Sequence, residues 1–315
     1  MNPQPPRIKV EHLALIIFLA TVIATAWIGS NIFENLPHIE DEVAYIWQAD
    51  VISHGDLTLP SPICPKCFLF PFVIDHDGFR FGKYPIAWPV LLSFAVRAGK
   101  RAWLPPLLAG LNIWLAFRLY KKILDEKTAL LATFLTASSP FFLMNASSLL
   151  AHNWSLFLTL SFVIGWVDTF SPSPKAPKWL TAAVTAFSLG VLALTRPMTA
   201  VGVAIPFFIH GVVLVFISRD KTNRLFVVGI GLVAGLISSL HFVWQYAVTG
   251  SAWLNPYELW WPYDKIGFGP DVGLQVGGYS LRAAYSNTNF SLWIGSHDFF
   301  GWPYLSYIFV LFGIL

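Results

Sequence analysis

Pro37-His38-Ile39-Glu40-Asp41-Glu42-Val43-Ala44-Tyr45 follows directly on an apolar run, residues 12–30, that is long enough to cross a bilayer. Three consecutive carboxylates therefore stand where the chain would leave a membrane. Acids in the first turn of a helix offset its macrodipole, which is the plain reading of this stretch. That role needs fewer acids, and it leaves Tyr45 unexplained. Asp41 and Tyr45 share one face of a helix, whereas adjacent residues point about 100° apart, so Glu40, Asp41 and Glu42 do not all face one pocket. A carboxylate held beside a hydroxyl acceptor takes its proton during attack, which makes Asp41 and Glu42 candidate catalytic groups at a membrane surface.

The whole composition agrees with a membrane setting. Of 315 residues, 56% are hydrophobic and 12% charged, where a soluble domain carries about 25% charged. Mean hydropathy is +0.61. We read an all-α polytopic membrane protein with a single transmembrane domain over residues 1–315. A net charge of +3 gives no reason to expect nucleic acid as a partner. The 14 tryptophans and 27 phenylalanines suit membrane interfaces, sugar faces or lipid chains.

Arg7 and Lys9 place the N-terminus in the cytoplasm, so the acidic stretch emerges outside. Ala24-Thr25-Ala26 would suit a cleaved signal, but the many later apolar runs favour an uncleaved first helix. The long segment after it opens with a short amphipathic helix over 38–54, ended by His54-Gly55-Asp56. Asp77-Gly78 between apolar residues predicts a small β-hairpin, which explains Asp75 and Asp77 more simply than a metal site does. Residues 84–96 hold Pro85 and Pro89 and are too short to span, so they read as an interfacial or re-entrant helix. Further runs lie at 103–120, 128–146, 149–167, 179–195, 198–217, 225–246 and 303–315. With 103–120 as the second span, the inner connections carry Lys121, Lys122, Lys127, Lys175, Lys178, Arg219, Lys221 and Arg224, as the positive-inside rule requires. The outer segments are then 31–102, catalytic, and 247–302, substrate-facing. The last run is short for a span, so the sequence is expected to be truncated at its C-terminus. Cys64 and Cys67 have no second cysteine pair for zinc; a local disulfide and two free thiols both stay open.

Asp41-Glu42-x-x-Tyr45 after a first span, then Gly82-Lys83-Tyr84-Pro85-Ile86-Ala87-Trp88-Pro89, resembles the GT-C membrane glycosyltransferases. The branch is that of protein O-mannosyltransferases and aminoarabinose transferases. Ser138-Ser139-Pro140, Leu150-Ala151-His152-Asn153, Leu194-Thr195-Arg196-Pro197, and Gly267-Phe268-Gly269 before Gly301-Trp302-Pro303 extend the resemblance over nearly the whole chain. It implies a GT-C-type helical bundle and an inverting displacement that moves a sugar from a polyprenyl-phosphate donor to an extracytoplasmic acceptor, on the outer face of the cell membrane. Asp41 matches the family's catalytic acid, and Glu42 and Tyr45 complete that motif. One departure is plain: the connection between the third and fourth spans offers Ala151-His152-Asn153 where better-studied members have a second acid.

The leaving group would be a lipid phosphate, which calls for fixed positive charge. Lys83, Arg196 and the Arg97, Lys100, Arg101 cluster are candidates, with Arg196 foremost because it stands alone between two apolar runs. The candidate substrate-binding residues are thus Tyr45, Lys83, Tyr84, His152, Asn153 and Arg196. Trp260-Trp261-Pro262-Tyr263-Asp264-Lys265 would stack a sugar or the lipid, or form an aromatic belt. Asp41 and Glu42 leave a divalent cation, magnesium or manganese, open as a cofactor, although two acids do not make a site. The rival readings are a transporter or flippase and a non-catalytic component of a polysaccharide assembly system. The centres of the apolar runs carry no Asp, Glu, Lys or Arg, which speaks against ion-coupled transport.

Overall fold

The computed structural model describes residues 9–172, 176–217 and 220–308. Arg7, Lys175, Arg219 and the run beyond residue 308 lie outside the described residues. The chain is mostly helical. Helices α1 (Val10–Asn31), α4 (Leu104–Ile123), α9 (Pro197–Phe216) and α10 (Lys221–Thr249) are each long and apolar enough to cross a membrane. Helices α5 (Glu126–Ser138) and α6 (Pro140–Ser147) form an apolar pair bent by 59°, in the form of a broken span or a re-entrant loop. The chain is a multi-pass membrane protein.

The bend falls inside the run 128–146 that reads as one span in the sequence. Its cause is Pro140, which forces the preceding Ser139 into extended backbone and removes an amide from the ladder. Ser139 then caps the new helix by accepting from Phe142 N at 3.3 Å.

Helices α7 (His152–Thr169) and α8 (Lys178–Ala193) complete the bundle. α1 packs on α4, α4 on α7, α7 on α8, and α8 on α9 and α10. Small residues set these approaches, as expected where lipid supplies no hydrophobic drive between helices. A Cβ at Gly165 of α7 would lie 3.0 Å from the Thr181 carbonyl oxygen of α8, and one at Gly190 of α8 would lie 3.1 Å from the Ala234 carbonyl oxygen of α10. At one end of the bundle Lys121 bridges Glu11 (2.6 Å) and Glu126 (2.9 Å), and Lys122 pairs with Asp168.

The other end carries a layer built from the long polar segments. It holds α2 (Glu40–Ser53), strands β1 (Leu59–Pro60), β2 (Val73–His76) and β3 (Phe79–Gly82), α3 (Ala87–Arg97), α11 (Pro256–Trp260) and α12 (Leu281–Asp298). Asp77 (φ 48°) and Gly78 (φ 83°) are both left-handed, the geometry of the two-residue hairpin turn that the sequence announces. Asp75 pairs with Arg80 across the hairpin at 2.6 Å and also accepts from Ser61. The Arg80 guanidinium holds the Asp75 carboxyl below the usual carboxylate range. Cys64 and Cys67 form a disulfide. The layer's core gathers Tyr45, Phe72, Tyr84, Trp88, Leu108 and Leu149.

Replacing Gly165 by Val should wedge α7 from α8, because the carbonyl it meets belongs to rigid helix backbone. We expect a loss of about 1–3 kcal/mol, measured by thermal unfolding of the purified chain in detergent; an unchanged melting temperature would contradict this packing.

Candidate active site

The site is assembled around the backbone of one residue, Leu149. The Leu149 amide donates to Glu42 Oε1 at 2.6 Å, and the Leu149 carbonyl accepts from Trp88 Nε1 at 3.0 Å. Both bonds are buried, so they bind α2 and α3 to the connection between α6 and α7 without competition from water. The other Glu42 oxygen accepts from the His38 and Ile39 amides at 2.8 and 3.3 Å, which caps α2. Glu42 is buried and its carboxylate is taken up by backbone amides on both sides.

One position earlier, Asp41 turns to another face. Its Oδ1 accepts from the Tyr84 hydroxyl at 2.6 Å. Oδ2 has no hydrogen bond among the described residues. Tyr84 is itself fixed: its carbonyl accepts from Gln48 Nε2 at 2.9 Å, and its ring lies 4.5 Å from that of Tyr45. Gly82 is what lets Gln48 in, since a Cβ there would sit 2.4 Å from the Gln48 side chain. Burial pushes the hydroxyls of Tyr45, Tyr84 and Tyr257 well above the ordinary tyrosine value, and for Tyr84 the bond to Asp41 adds to this. All three stay neutral donors at physiological pH.

Lys83 is only 3% exposed. Its ammonium lies 3.7 Å from the Phe72 ring centre, 4.4 Å from Trp261, 5.0 Å from Tyr257 and 5.2 Å from Tyr84. Its amide bonds to the Phe72 carbonyl at 3.0 Å, which fixes the root of the side chain. Burial lowers the lysine below its ordinary value, against the pull of Asp264, Asp41 and Glu40. An ammonium faced by rings and lacking a hydrogen-bond acceptor among the described residues is ready to receive an anion.

Arg196 enters from the start of α9. The Ala87 amide of α3 bonds to the Leu194 carbonyl at 3.1 Å, which joins the Tyr84-Pro85-Ile86-Ala87 stretch to the Leu194-Thr195-Arg196-Pro197 turn. The Arg196 charge acts on Tyr45, Tyr257 and His152, and the Asp41 charge acts on the same three groups. Asp41, Tyr45, Lys83, Tyr84, His152 and Arg196 therefore come together, drawn from four separate segments.

Glu42 and Asn153 are placed differently. Asn153 is buried, donates to the Pro105 carbonyl at 2.9 Å and accepts from Asn112 Nδ2 at 2.5 Å, locking α7 to α4. Arg97, Lys100 and Arg101 sit at the far end of α3. Tyr257 joins the site without having been singled out from the sequence, whereas Trp261 and Asp264 belong to the aromatic stretch 260–265 read there. Asn255-Pro256, which caps and opens α11, was the local signal for Tyr257. Among the described residues no three of His, Cys, Asp and Glu gather to hold a metal ion.

No family model matches this chain, and no curated protein does. Among solved structures, the archaeal oligosaccharyltransferase AglB from Archaeoglobus fulgidus, in complex with an inhibitory peptide and a dolichol-phosphate, is similar over 94% of this chain, at 14% identity and a TM-score of 0.48. The chain spans 36% of that protein's length. A likeness this slight carries no activity or ligand across.

Two stability outcomes follow from the geometry. Glu42→Ala leaves the Leu149 amide buried without a partner and should cost about 1–3 kcal/mol, whereas Glu40→Ala, exposed, should cost less than about 0.5 kcal/mol; equal effects in thermal unfolding would contradict the clamp. Lys83→Met removes a buried cation while keeping its bulk, so stability should hold or rise by about 1 kcal/mol. A drop of about 2 kcal/mol or more would mean that the ring contacts outweigh desolvation. The group's own pH effect has a definite sign. A lysine lowered by folding binds fewer protons folded than unfolded, so its contribution to stability improves as pH rises from the folded value toward the ordinary lysine range. That pH-dependent gain should vanish in Lys83→Met.

Proposed function

We propose that this chain is a GT-C-type glycosyltransferase that uses a polyprenyl-phosphate-linked sugar and acts on the extracytoplasmic side of the membrane. The observation that carries the reading is the convergence of Asp41 with Lys83 and Arg196 at one end of an apolar helix bundle. One acceptor of protons and two fixed cations, grouped where apolar spans meet a polar layer, are what transfer from a lipid phosphate requires.

In this reading the acceptor hydroxyl attacks the anomeric carbon from the face opposite the phosphate. The bond to the phosphate oxygen breaks, and the electron pair leaves with the polyprenyl phosphate. Arg196 and Lys83 hold that anion as its charge grows. Asp41 takes the acceptor's proton through Oδ2, while Tyr84, donating to Oδ1, fixes the carboxylate's orientation. Tyr45 and His152 each lie within reach of both the Asp41 and the Arg196 charge. Glu42 and Asn153 act as positioning residues, since their polar atoms are held in buried structural bonds. The aromatic rings of Trp261 and Tyr257 offer faces for the sugar once Lys83 engages phosphate. The lipid tail, lying among the spans, delivers the donor already oriented. The sugar is a hexose or a pentose, and the acceptor a glycan, a lipid or a protein.

Asp41→Asn keeps the size of the side chain and its bond to Tyr84 while removing the base. Transfer from a panel of labelled polyprenyl-phosphate sugars in membranes should fall by about 10²–10⁴-fold with folding unchanged. Tyr84→Phe should lower transfer by a smaller factor, about tenfold, since it frees rather than removes the carboxylate. Full activity in a well-folded Asp41→Asn chain would refute the reading.

A further inference from the structure

The hairpin packs sideways on a membrane helix. Ile74 of β2 and Phe81 of β3 lie against Trp244 and Val248, in the last turns of α10. The same level of α10 shows the marks of a headgroup boundary. Tyr246 is 64% exposed, and Trp253, 82% exposed, rests its ring 5.1 Å from Phe242. The sheet therefore sits beside the bundle at the depth where acyl chains give way to headgroups.

Successive strand residues face opposite ways, so Asp75 and Arg80 look away from α10. On that outward face they anchor a loop. Ser61 donates to Asp75 at 2.7 Å, and Arg80 Nη2 donates to the Pro65 carbonyl at 3.4 Å. The disulfide between Cys64 and Cys67 closes the tip. This fixed loop holds its apolar side chains outward: Ile63 is 108% exposed, Phe68 61%, Leu69 72% and Phe70 42%. Four exposed apolar side chains on one anchored loop call for a partner. The charge pattern selects which. Between Asp56 and Asp75 the segment contains no carboxylate and one cation, Lys66. Aromatic and aliphatic side chains with a lysine among them are the make-up of segments that settle into the headgroup–acyl boundary, the lysine reaching up to lipid phosphate.

We propose that the disulfide-closed loop from Pro62 to Phe70 inserts into the bilayer surface, as a membrane contact separate from the spanning helices. It holds the sheet, and with it Phe72 and Lys83, at a set height above the lipid. The contact does not depend on what the site catalyses.

The test places the photoreactive residue p-benzoylphenylalanine at position 69 of the purified full chain, in nanodiscs of phosphatidylethanolamine and phosphatidylglycerol, with position 77 as control. Asp77 lies on the same hairpin, with its side chain 83% exposed. Mass spectrometry after irradiation should find phospholipid joined at 69 and none above background at 77. Intramolecular or chain-to-chain crosslinks at 69, absence of lipid adduct there, or equal lipid adduct at both positions would each overturn the proposal.

Discussion

The backbone of Leu149 is the fixed point of the molecule. Its amide is held by a carboxylate from α2 and its carbonyl by an indole from α3. With those bonds made, the rotation of α2 is fixed, and it sends Asp41 toward Tyr84. The same residue opens the turn into α7, where His152 stands and Asn153 fastens to α4. A charged acceptor for a buried amide is a strong and directional bond. Its loss would leave an unsatisfied group and a loosened site together. Adjacent acids therefore divide the labour: Glu42 holds the frame, and Asp41 keeps one oxygen on the Tyr84 hydroxyl.

A second constraint works against stability. Lys83 is buried among rings, where an ammonium loses hydration and regains only part of it through the ring faces. The chain fixes it there through the Phe72 carbonyl and covers it with α11 and Trp261. In the proposed reaction a cation in this position waits for an anion. The cost of removing it from water is met in the resting protein, so less reorganisation is needed when phosphate arrives.

Much of the layer was legible because its signals are local. Gly55 ends α2, Asp77-Gly78 turns the hairpin, and Pro85 and Pro89 limit α3 to a short helix. The bundle was legible from apolar runs, except where Pro140 bends one of them; in the layer, α12 forms from a stretch rich in Ser, Thr and Asn that carries no apolar period. Roles fixed by distant partners were not legible. Glu42 meets an amide 107 residues on, and Asn153 meets a carbonyl 48 residues back. In sequence each looks like a neighbour of the reactive motif, and in the fold each is part of its support. Asp264 and Tyr257 reach Lys83 from a loop whose fold no periodicity encodes.

In the proposed reaction a sugar–phosphate bond breaks between Asp41 and the Lys83–Arg196 pair. The most direct measurement follows the donor itself. The full chain would be placed in nanodiscs with anomerically defined polyprenyl-phosphate sugars and membrane-derived acceptors, and both the released polyprenyl phosphate and the anomeric configuration of the product would be read. The account predicts release from at least one donor with inversion at the anomeric carbon. A product that retains the donor's configuration, or a folded chain that releases polyprenyl phosphate from no donor, would contradict it.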